Sequence, residues 1–396
     1  FRVGTAAMSE SIPIAVMSFP TRMVVGPGAV GRLGDEVRRL NARRVLVVSD
    51  RGVEAAGILA RVLGQLEGDG LPASSYLGVS KNPKESDVLD GVAAYRAAGA
   101  ELIVGLGGGA PMDVAKAIAL KVTHEQPLAA YDDLLDGWQK IRADMPPVIA
   151  IPTTAGTGSE VGRSSVVCLG EDGHKVVIFS PHMLPKVAIC DAELTIGLPP
   201  AITAATGVDA LTHALEAYVA NGYHPFADMT ALNSLARIGV HLERAVRDGR
   251  DLEARHQMLL AASLGAISFQ KGLGACHALA HPLGAVADVH HGLANAVMLP
   301  HVIRFNLAHA THAYAIAGEA LGVRSGGSTE ARAQACLERI ASLLRAVGIP
   351  ERLRDVGVTS AMIEPMVAQA AVDAAGAGNP RKLTAEAARA LYQAAL

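Results

Sequence analysis

The feature that most constrains this chain is a change of period close to Pro199–Pro200. Ahead of it, short β-branched runs alternate with helical stretches. Arg44–Ser49, Glu101–Leu106 and Val148–Ile151, the last stopped by Pro152, read as buried strands. Val53–Leu66, Ser86–Ala98 and Asp113–Lys121 read as helices between them. Strands separated by helices predict a parallel sheet with helical crossovers. Behind the change, Ala201–Ala220, Pro225–Val246 and Leu252–Gln270 are rich in Ala and Leu at helical spacing, and strand signals nearly vanish. The expected architecture is an α/β N-terminal domain with a parallel sheet, residues 1–196, and an all-helical C-terminal domain, residues 197–396. Half of the residues are hydrophobic, enough to fill a sizeable core.

Charge and cysteines narrow the setting. The net charge is −3, with no basic excess to match nucleic acid and no charge block to match a membrane surface. The four cysteines, Cys168, Cys190, Cys276 and Cys336, lie far apart and form no C-x-x-C pair. That argues against a disulfide framework or zinc knuckle and predicts a reducing, cytoplasmic setting. The opening stretch FRVGTAAMSESIPIAVMSF lacks a charged start followed by an apolar run, so it is not read as a secretory leader. The longest apolar stretch, near Met258–Phe269, is too short to cross a bilayer.

Residues 107–116, GGGAPMDVAK, sit between a strand and a helix. Glycines let a backbone approach a diphosphate, and the free N–H groups of a helix start favour an anion. Pro111 suits the first helical turn. An ordinary glycine-rich turn is the competing reading. The loop is not G-x-G-x-x-G, and Asp50, closing an earlier strand, precedes the glycines instead of following them. This is therefore a different nucleotide fold from the common dinucleotide fingerprint. An acid at a strand end can accept both ribose hydroxyls and repels a 2′-phosphate, which favours NAD over NADP. The competing role for Asp50 is a helix N-cap. A second loop after a strand, PTTAGTGSE at residues 152–160, offers hydroxyls and glycines to a ribose or an amide, or is only a turn of small residues.

Asp209 and His213 are spaced i, i+4 and share one helical face. His277 and His281 repeat that spacing, and His290 and His291 follow. Two neutral imidazoles and a carboxylate make a zinc or iron site, and a third imidazole completes four ligands. Any one histidine is more often solvated or satisfied in a core, and His301, His309 and His312 are left to that reading. Seven of the fourteen histidines nevertheless fall between His277 and His312. Spacing neither chooses between His290 and His291 nor excludes His281.

Taken in order, GGGAPMDVAK, IPTTAGTGSE, LPPAITAATGVDALTHALEAY, GLGACHALAHPLGA and HHGLANAVMLPHV closely resemble the iron-containing alcohol dehydrogenase family, from about residue 20 to near the C-terminus. The resemblance implies a dehydroquinate-synthase-like fold with the active site in the cleft between the two domains. It implies the metal ligands Asp209, His213, His277 and, as the histidine before a glycine, His291. His281 matches a non-ligand histidine near nicotinamide and substrate, a candidate for proton relay. The cofactor positions that carry over are Asp50, Gly108, Gly109, Asp113, Thr153, Thr154, Thr157 and Lys175, with Ile202 packing on the cofactor. The resemblance further implies NAD, one divalent ion (iron, with zinc as the alternative), a small alcohol or aldehyde substrate, and a homodimer.

Three departures stand out. Ala110 replaces the usual Ser, removing one side-chain bond to the diphosphate, and His290 stands where many members have Pro. Gln270-Lys271 replaces small or apolar residues. A Lys271 facing the pocket would suit a substrate with an anionic end, such as 4-hydroxybutyrate and succinic semialdehyde, or a phosphonoaldehyde. The competing fate is an amine that reaches solvent. A dehydroquinate-synthase-like lyase would share the plan, the NAD and the metal. Its polyanionic sugar-phosphate substrate calls for a cluster of Lys and Arg, and only Lys271 stands near the metal motifs. A metal-binding or redox-sensing module without turnover is the third reading, and the intact nucleotide segments oppose it.

Overall fold

Among the described residues, eight strands form in the first half of the chain: Arg22–Val25 (β1), Val45–Val48 (β2), Ala73–Tyr76 (β3), Leu102–Gly107 (β4), Val148–Pro152 (β5), Ser164–Leu169 (β6), His174–Phe179 (β7) and Val187–Cys190 (β8). The structure is a computed structural model that describes residues 16–19, 21–170, 174–324 and 326–396. Most of the opening stretch, residues 1–15, lies outside the described residues, and with it the reading about a leader. Six strands make one parallel sheet in the order β1-β8-β5-β4-β2-β3. β6 and β7 form a separate antiparallel hairpin.

Helices Leu33–Arg39 (α1), Arg51–Ala55 (α2), Ile58–Gly68 (α3), Glu85–Ala97 (α4) and Gly109–Thr123 (α5) connect and cover the sheet. Every residue of β2, β4, β5 and β8 is buried. These strands read as unbroken apolar runs because both faces are covered. Alternate residues divide between the faces: Leu46, Val48 and Ile103 pack with Val88, Val92 and Ile118, while Val45, Val47, Leu102 and Val104 pack with Val37, Val62 and Leu66. The helix expected over Val53–Leu66 is two helices, broken where Gly57 takes a positive φ of 75°. β5 runs one residue further than expected and ends on Pro152 itself. That proline is paired opposite Gly107, and the Thr153 N–H donates to the Gly107 carbonyl at 2.9 Å.

From Pro200 onward the described residues are helical: Pro200–Val219 (α6), Pro225–Arg247 (α7), Leu252–Ser268 (α8), Ala275–Ala287 (α9), His291–Asn306 (α10), Thr311–Ala320 (α11), Thr329–Ala346 (α12), Ile363–Ala370 (α13) and Ala385–Ala395 (α14). One apolar core runs through them from Ala204 to Ala395. α6 is buried on nearly every side, as expected of a central helix that is apolar all round. No single described helix is long and apolar enough to cross a membrane.

The strand order sets the position of the cleft. From β2 the chain moves outward to β3, whereas β4 lies on the other side of β2. The loops leaving β2 and β4 therefore diverge at the C-terminal edge of the sheet, and a crevice opens at such a switch point.

Candidate functional site

A cleft of about 680 Å³ runs from this edge of the sheet to α6, α9 and α10. Asp50 closes β2, and its Oδ1 accepts the Val53 N–H at 2.9 Å, capping α2. Asp50 also lines the cleft, so the residue that caps α2 borders the open space as well. Gly108 precedes the first residue of α5, Gly109, and both line the cleft together with Thr153, Thr154 and Thr157 from the loop after β5. Lys175 of β7 and Ile202 in the first turn of α6 complete this wall.

Asp113 has partners within the protein. Its Oδ1 accepts the Ser159 hydroxyl at 2.6 Å and its Oδ2 the Val166 N–H at 3.1 Å, and Lys116 lies 3.1 Å away. It is not part of the cleft lining. Four residues past the start of α5, its carboxylate ties β6 and the threonine-rich loop to the helix. In this structure it holds the wall together.

The opposite wall is built from three helices. α6 presents Asp209 and His213 one turn apart, α9 presents His277 and His281, and α10 begins at His291. α10 comes this close to α6 only because residue 292 is glycine. A Cβ there would lie 2.3 Å from the Ala205 carbonyl oxygen and 3.3 Å from the Asp209 Cβ. Asp209 Oδ1 is 3.5 Å from His291 Nε2, 3.9 Å from His277 Nε2 and 4.0 Å from His213 Nε2. One ligand atom from each of the four lies within 4.8 Å of all the others. Ligand bonds of about 2.1 Å put tetrahedral donors roughly 3.4 Å apart, so a modest contraction would close the group on an ion.

The protonation states suit the same role. Burial would push the Asp209 carboxyl up, but His213, His291, His277 and the Asn295 amide hold it down at about 2. Burial pushes His277 well below the usual imidazole range and lowers His291 as well. An ionised carboxylate thus faces imidazoles kept neutral, which is the state that coordinates a metal. The Asn295 amide donates to Asp209 Oδ1 at 2.9 Å and lies 3.2 and 3.3 Å from Nε2 of His277 and His291. One amide is poor compensation for so many converging acceptors, and the His213 Nδ1 is buried without a partner. One oxygen and three imidazole nitrogens suit iron or zinc. The side chains of Asp209, His213 and His277 are 3, 7 and 2% exposed, against 37% for His291. The cluster is therefore closed except at the His291 side, which faces the cleft.

His281, one turn beyond His277, lies outside the donor group. Its Nδ1 is 2.8 Å from Asp373 Oδ2, its ring stacks on His291 at 5.6 Å, and it lines the cleft. Lys271 lies elsewhere. Its amine donates to Asp228 Oδ1 at 2.7 Å and to the Tyr218 carbonyl at 3.0 Å, and it does not line the cleft. In this structure its charge is matched by Asp228. Its neighbour Gln270 exchanges two hydrogen bonds of 3.0 Å with the Ser18 backbone and pins that segment. His290 precedes α10 with φ −56°, within the range that proline fixes, so the same backbone serves either residue.

Three residues of the site escaped the sequence reading. Glu216 bonds to His277, Asn295 to Asp209, and Asp373 to His281. Helical spacing could have found two of them, since Glu216 stands seven residues after Asp209 and Asn295 four after His291. Asp373 is 92 residues from its partner and has no local signal.

Comparison with known proteins gives one answer for both halves of the chain. Residues 20–192 match the model of the iron-containing alcohol dehydrogenases, and residues 203–396 match that of the C-terminal part of the Fe-containing alcohol dehydrogenase family. The chain is 41% identical over 381 residues to a 4-hydroxybutyrate dehydrogenase of Cupriavidus necator, covering 94% of this chain and 97% of that one. It is 39% identical over 374 residues to a 1,3-propanediol dehydrogenase of Klebsiella pneumoniae, covering 93% and 96%. A solved 1,3-propanediol oxidoreductase superposes with a TM-score of 0.93 at 37% identity, covering 96% of this chain and all of that one. A sulfoacetaldehyde reductase of Bifidobacterium kashiwanohense, solved with NAD+, superposes with a TM-score of 0.87 at 27% identity, covering 97% and 99%.

Proposed function

Since the chain belongs to the iron-containing alcohol dehydrogenase family, and is thereby an NAD- and metal-dependent alcohol oxidoreductase, we propose that its cleft interconverts small primary alcohols and aldehydes at the centre formed by Asp209, His213, His277 and His291. One observation carries this reading. The single open side of a buried four-donor cluster faces the cleft that also holds Asp50 and the glycine-rich start of α5.

Asp209, His213, His277 and His291 would hold the ion, which when bound supplies Lewis acidity at that open side, while the nicotinamide supplies the hydride acceptor. The remaining work falls to the chain. The backbone N–H groups at Gly108 and Gly109 take the diphosphate. Asp50 uses Oδ1 for its cap, so Oδ2 is left to accept ribose hydroxyls and to repel a 2′-phosphate. Thr153, Thr154, Thr157 and Lys175 hydrogen-bond the cofactor, and Ile202 offers it an apolar surface. His281 keeps its Nδ1 on Asp373, so Nε2 is free to take the alcohol proton and pass it to solvent.

Among substrates, the proposal puts 4-hydroxybutyrate and succinic semialdehyde first. Support comes from the 41% identity to the 4-hydroxybutyrate dehydrogenase. The proposal includes a two-domain chain divided near residue 197, supported by the end of β8 at Cys190 and the start of α6 at Pro200. It also includes a homodimer in a reducing cytoplasm, supported there by the four free cysteines. No observation favours the lyase. The test is a steady-state screen of succinic semialdehyde, butanal, lactaldehyde and their alcohols with NAD(H) and NADP(H), after anaerobic loading with iron or zinc. Absence of turnover across that panel, with metal and NADH bound, would end the reading.

A further inference from the structure

Glu216 is a carboxylate with 4% side-chain exposure that the chemistry above leaves without a task. It lies on α6, seven residues beyond Asp209, and reaches the first turn of α9. Its Oε1 accepts the Cys276 N–H at 2.6 Å, and its Oε2 lies 3.4 Å from the His277 N–H. Those N–H groups have no partner within their own helix, so Glu216 caps α9. A cap does not account for the remaining contact, in which Oε2 lies 2.6 Å from Nδ1 of the His277 ring.

A neutral imidazole carries one N–H. Placed on Nδ1 and donated to Glu216, it leaves the lone pair on Nε2, the atom that faces Asp209 Oδ1 at 3.9 Å. A partner on the far nitrogen fixes both the tautomer and the rotation of a metal-binding histidine. His213 lacks such a partner, because its Nδ1 is buried without one. The same carboxylate is locked to the backbone that carries His277, so ring and helix start are set together. Resting on the four-donor reading above, we propose that Glu216 is a positioning residue that presents His277 Nε2 to the metal centre, in addition to capping α9.

Glu216→Gln separates that role from capping, and Gly274→Ala perturbs the same carboxylate sterically. In Glu216→Gln the amide oxygen can keep the Cys276 N–H, but the NH₂ then faces His277 Nδ1. The ring proton is driven to Nε2, where it blocks coordination. In Gly274→Ala the carboxylate is untouched chemically but displaced: a Cβ at residue 274 would lie 2.7 Å from Glu216 Oε1, 3.1 Å from its Cδ and 3.0 Å from Asn379 Oδ1. That Asn379 oxygen accepts the Ala275 N–H, so Asn379→Ala is measured beside it as the control for that second contact. The measurements are Zn(II) and Co(II) affinity of the metal-free full chain by chelator competition, the Co(II) visible spectrum, NADH binding, and melting of the metal-free chain. The expected result is about 10–100-fold weaker metal binding in both variants, with an altered Co(II) spectrum and NADH affinity within about twofold of wild type. Lower melting with metal affinity unchanged would mean a cap only and overturns the proposal. Gly274→Ala decides the matter if Glu216→Gln no longer binds NADH. Asp209→Ala guards the premise: if it keeps full metal affinity, the four-donor reading itself falls; if it loses the metal while Glu216→Gln keeps it, only the positioning role falls.

Discussion

Gly292→Ala tests the packing that brings His291 to the other donors. The added methyl would sit 2.3 Å from the Ala205 carbonyl oxygen and 2.8 Å from its carbon, both in the backbone of α6. No side chain can swing away to make room. Restoring a contact of roughly 3.4 Å requires α10 to withdraw from α6 by about 1 Å. His291 is the adjacent residue and moves with it, whereas metal–ligand bonds tolerate only about 0.2 Å. The overpacking itself costs about 1–3 kcal/mol. Expected outcomes are a metal-free chain destabilised by that amount in urea and metal affinity reduced about 100-fold or more, equal to about 2.7 kcal/mol. NADH binding should persist, because the glycine helix start and Asp50 lie across the cleft. Denaturant melts and chelator competition on the same preparations give both numbers. Metal affinity and kcat within threefold of wild type would refute the claim that this backbone contact sets the ligand geometry.

Other predictions follow from the same contacts. Lys271→Ala removes an ion pair with Asp228, so it should lower stability and reduce kcat/KM for succinic semialdehyde and butanal by the same factor; a loss confined to succinic semialdehyde would return Lys271 to the pocket. Asp50→Asn keeps an N-cap but removes the charge facing a 2′-phosphate, so the NADP/NAD ratio of kcat/KM should rise at least about tenfold with little change in stability; an unchanged ratio counts against the ribose role. For the metal-free chain, His277 and His291 are held neutral mainly by burial. Below the unfolded imidazole pKa of 6.5 the unfolded chain binds more protons there, so their contribution is full above that pH and is lost on acidification. Glu216, raised to about 7 by burial, runs the other way, subtracting stability as pH rises from 4.5 to about 7. Two imidazoles against one carboxyl leave the urea midpoint lower at pH 5.5 than at pH 7.5, and a higher midpoint at pH 5.5 contradicts the buried neutral imidazoles.

The parts legible in sequence were those written in local period and spacing. β2, β4 and β5 showed as apolar runs because they are buried on both faces, and α6 to α8 showed as helices within a few residues of their ends. Asp209 with His213 was visible because a helix turns in 3.6 residues. The missed pieces depend on partners distant in the chain. β3, with the sequence ASSY, has no β-branched residue and is a strand only because β2 lies beside it. β1 is likewise an edge strand laid on β8, formed more than 160 residues later. The partners of Asp113 and Lys271 were hidden for a related reason. A carboxylate beside a glycine loop, or a lysine beside a metal motif, gains its role from whichever group packs against it. Those groups, Ser159 with Val166 and Asp228, are invisible at a distance.

One consequence of the buried helix α6 concerns distance. Ile202, which lines the cleft from the first turn of α6, and Asp209 and His213, in the donor cluster, belong to the same rigid element. At 1.5 Å per residue, the seven steps from Ile202 to Asp209 span about 10 Å along its axis. A single helix packed on nearly every side acts as a fixed gauge between the two ends of the reaction site. Relative movement of the two halves of the chain can open or close the approach to the cleft, but it cannot stretch that spacing. Changes of substrate size must therefore be taken up by the loop at residues 153–157 and by α9, leaving the gauge unaltered.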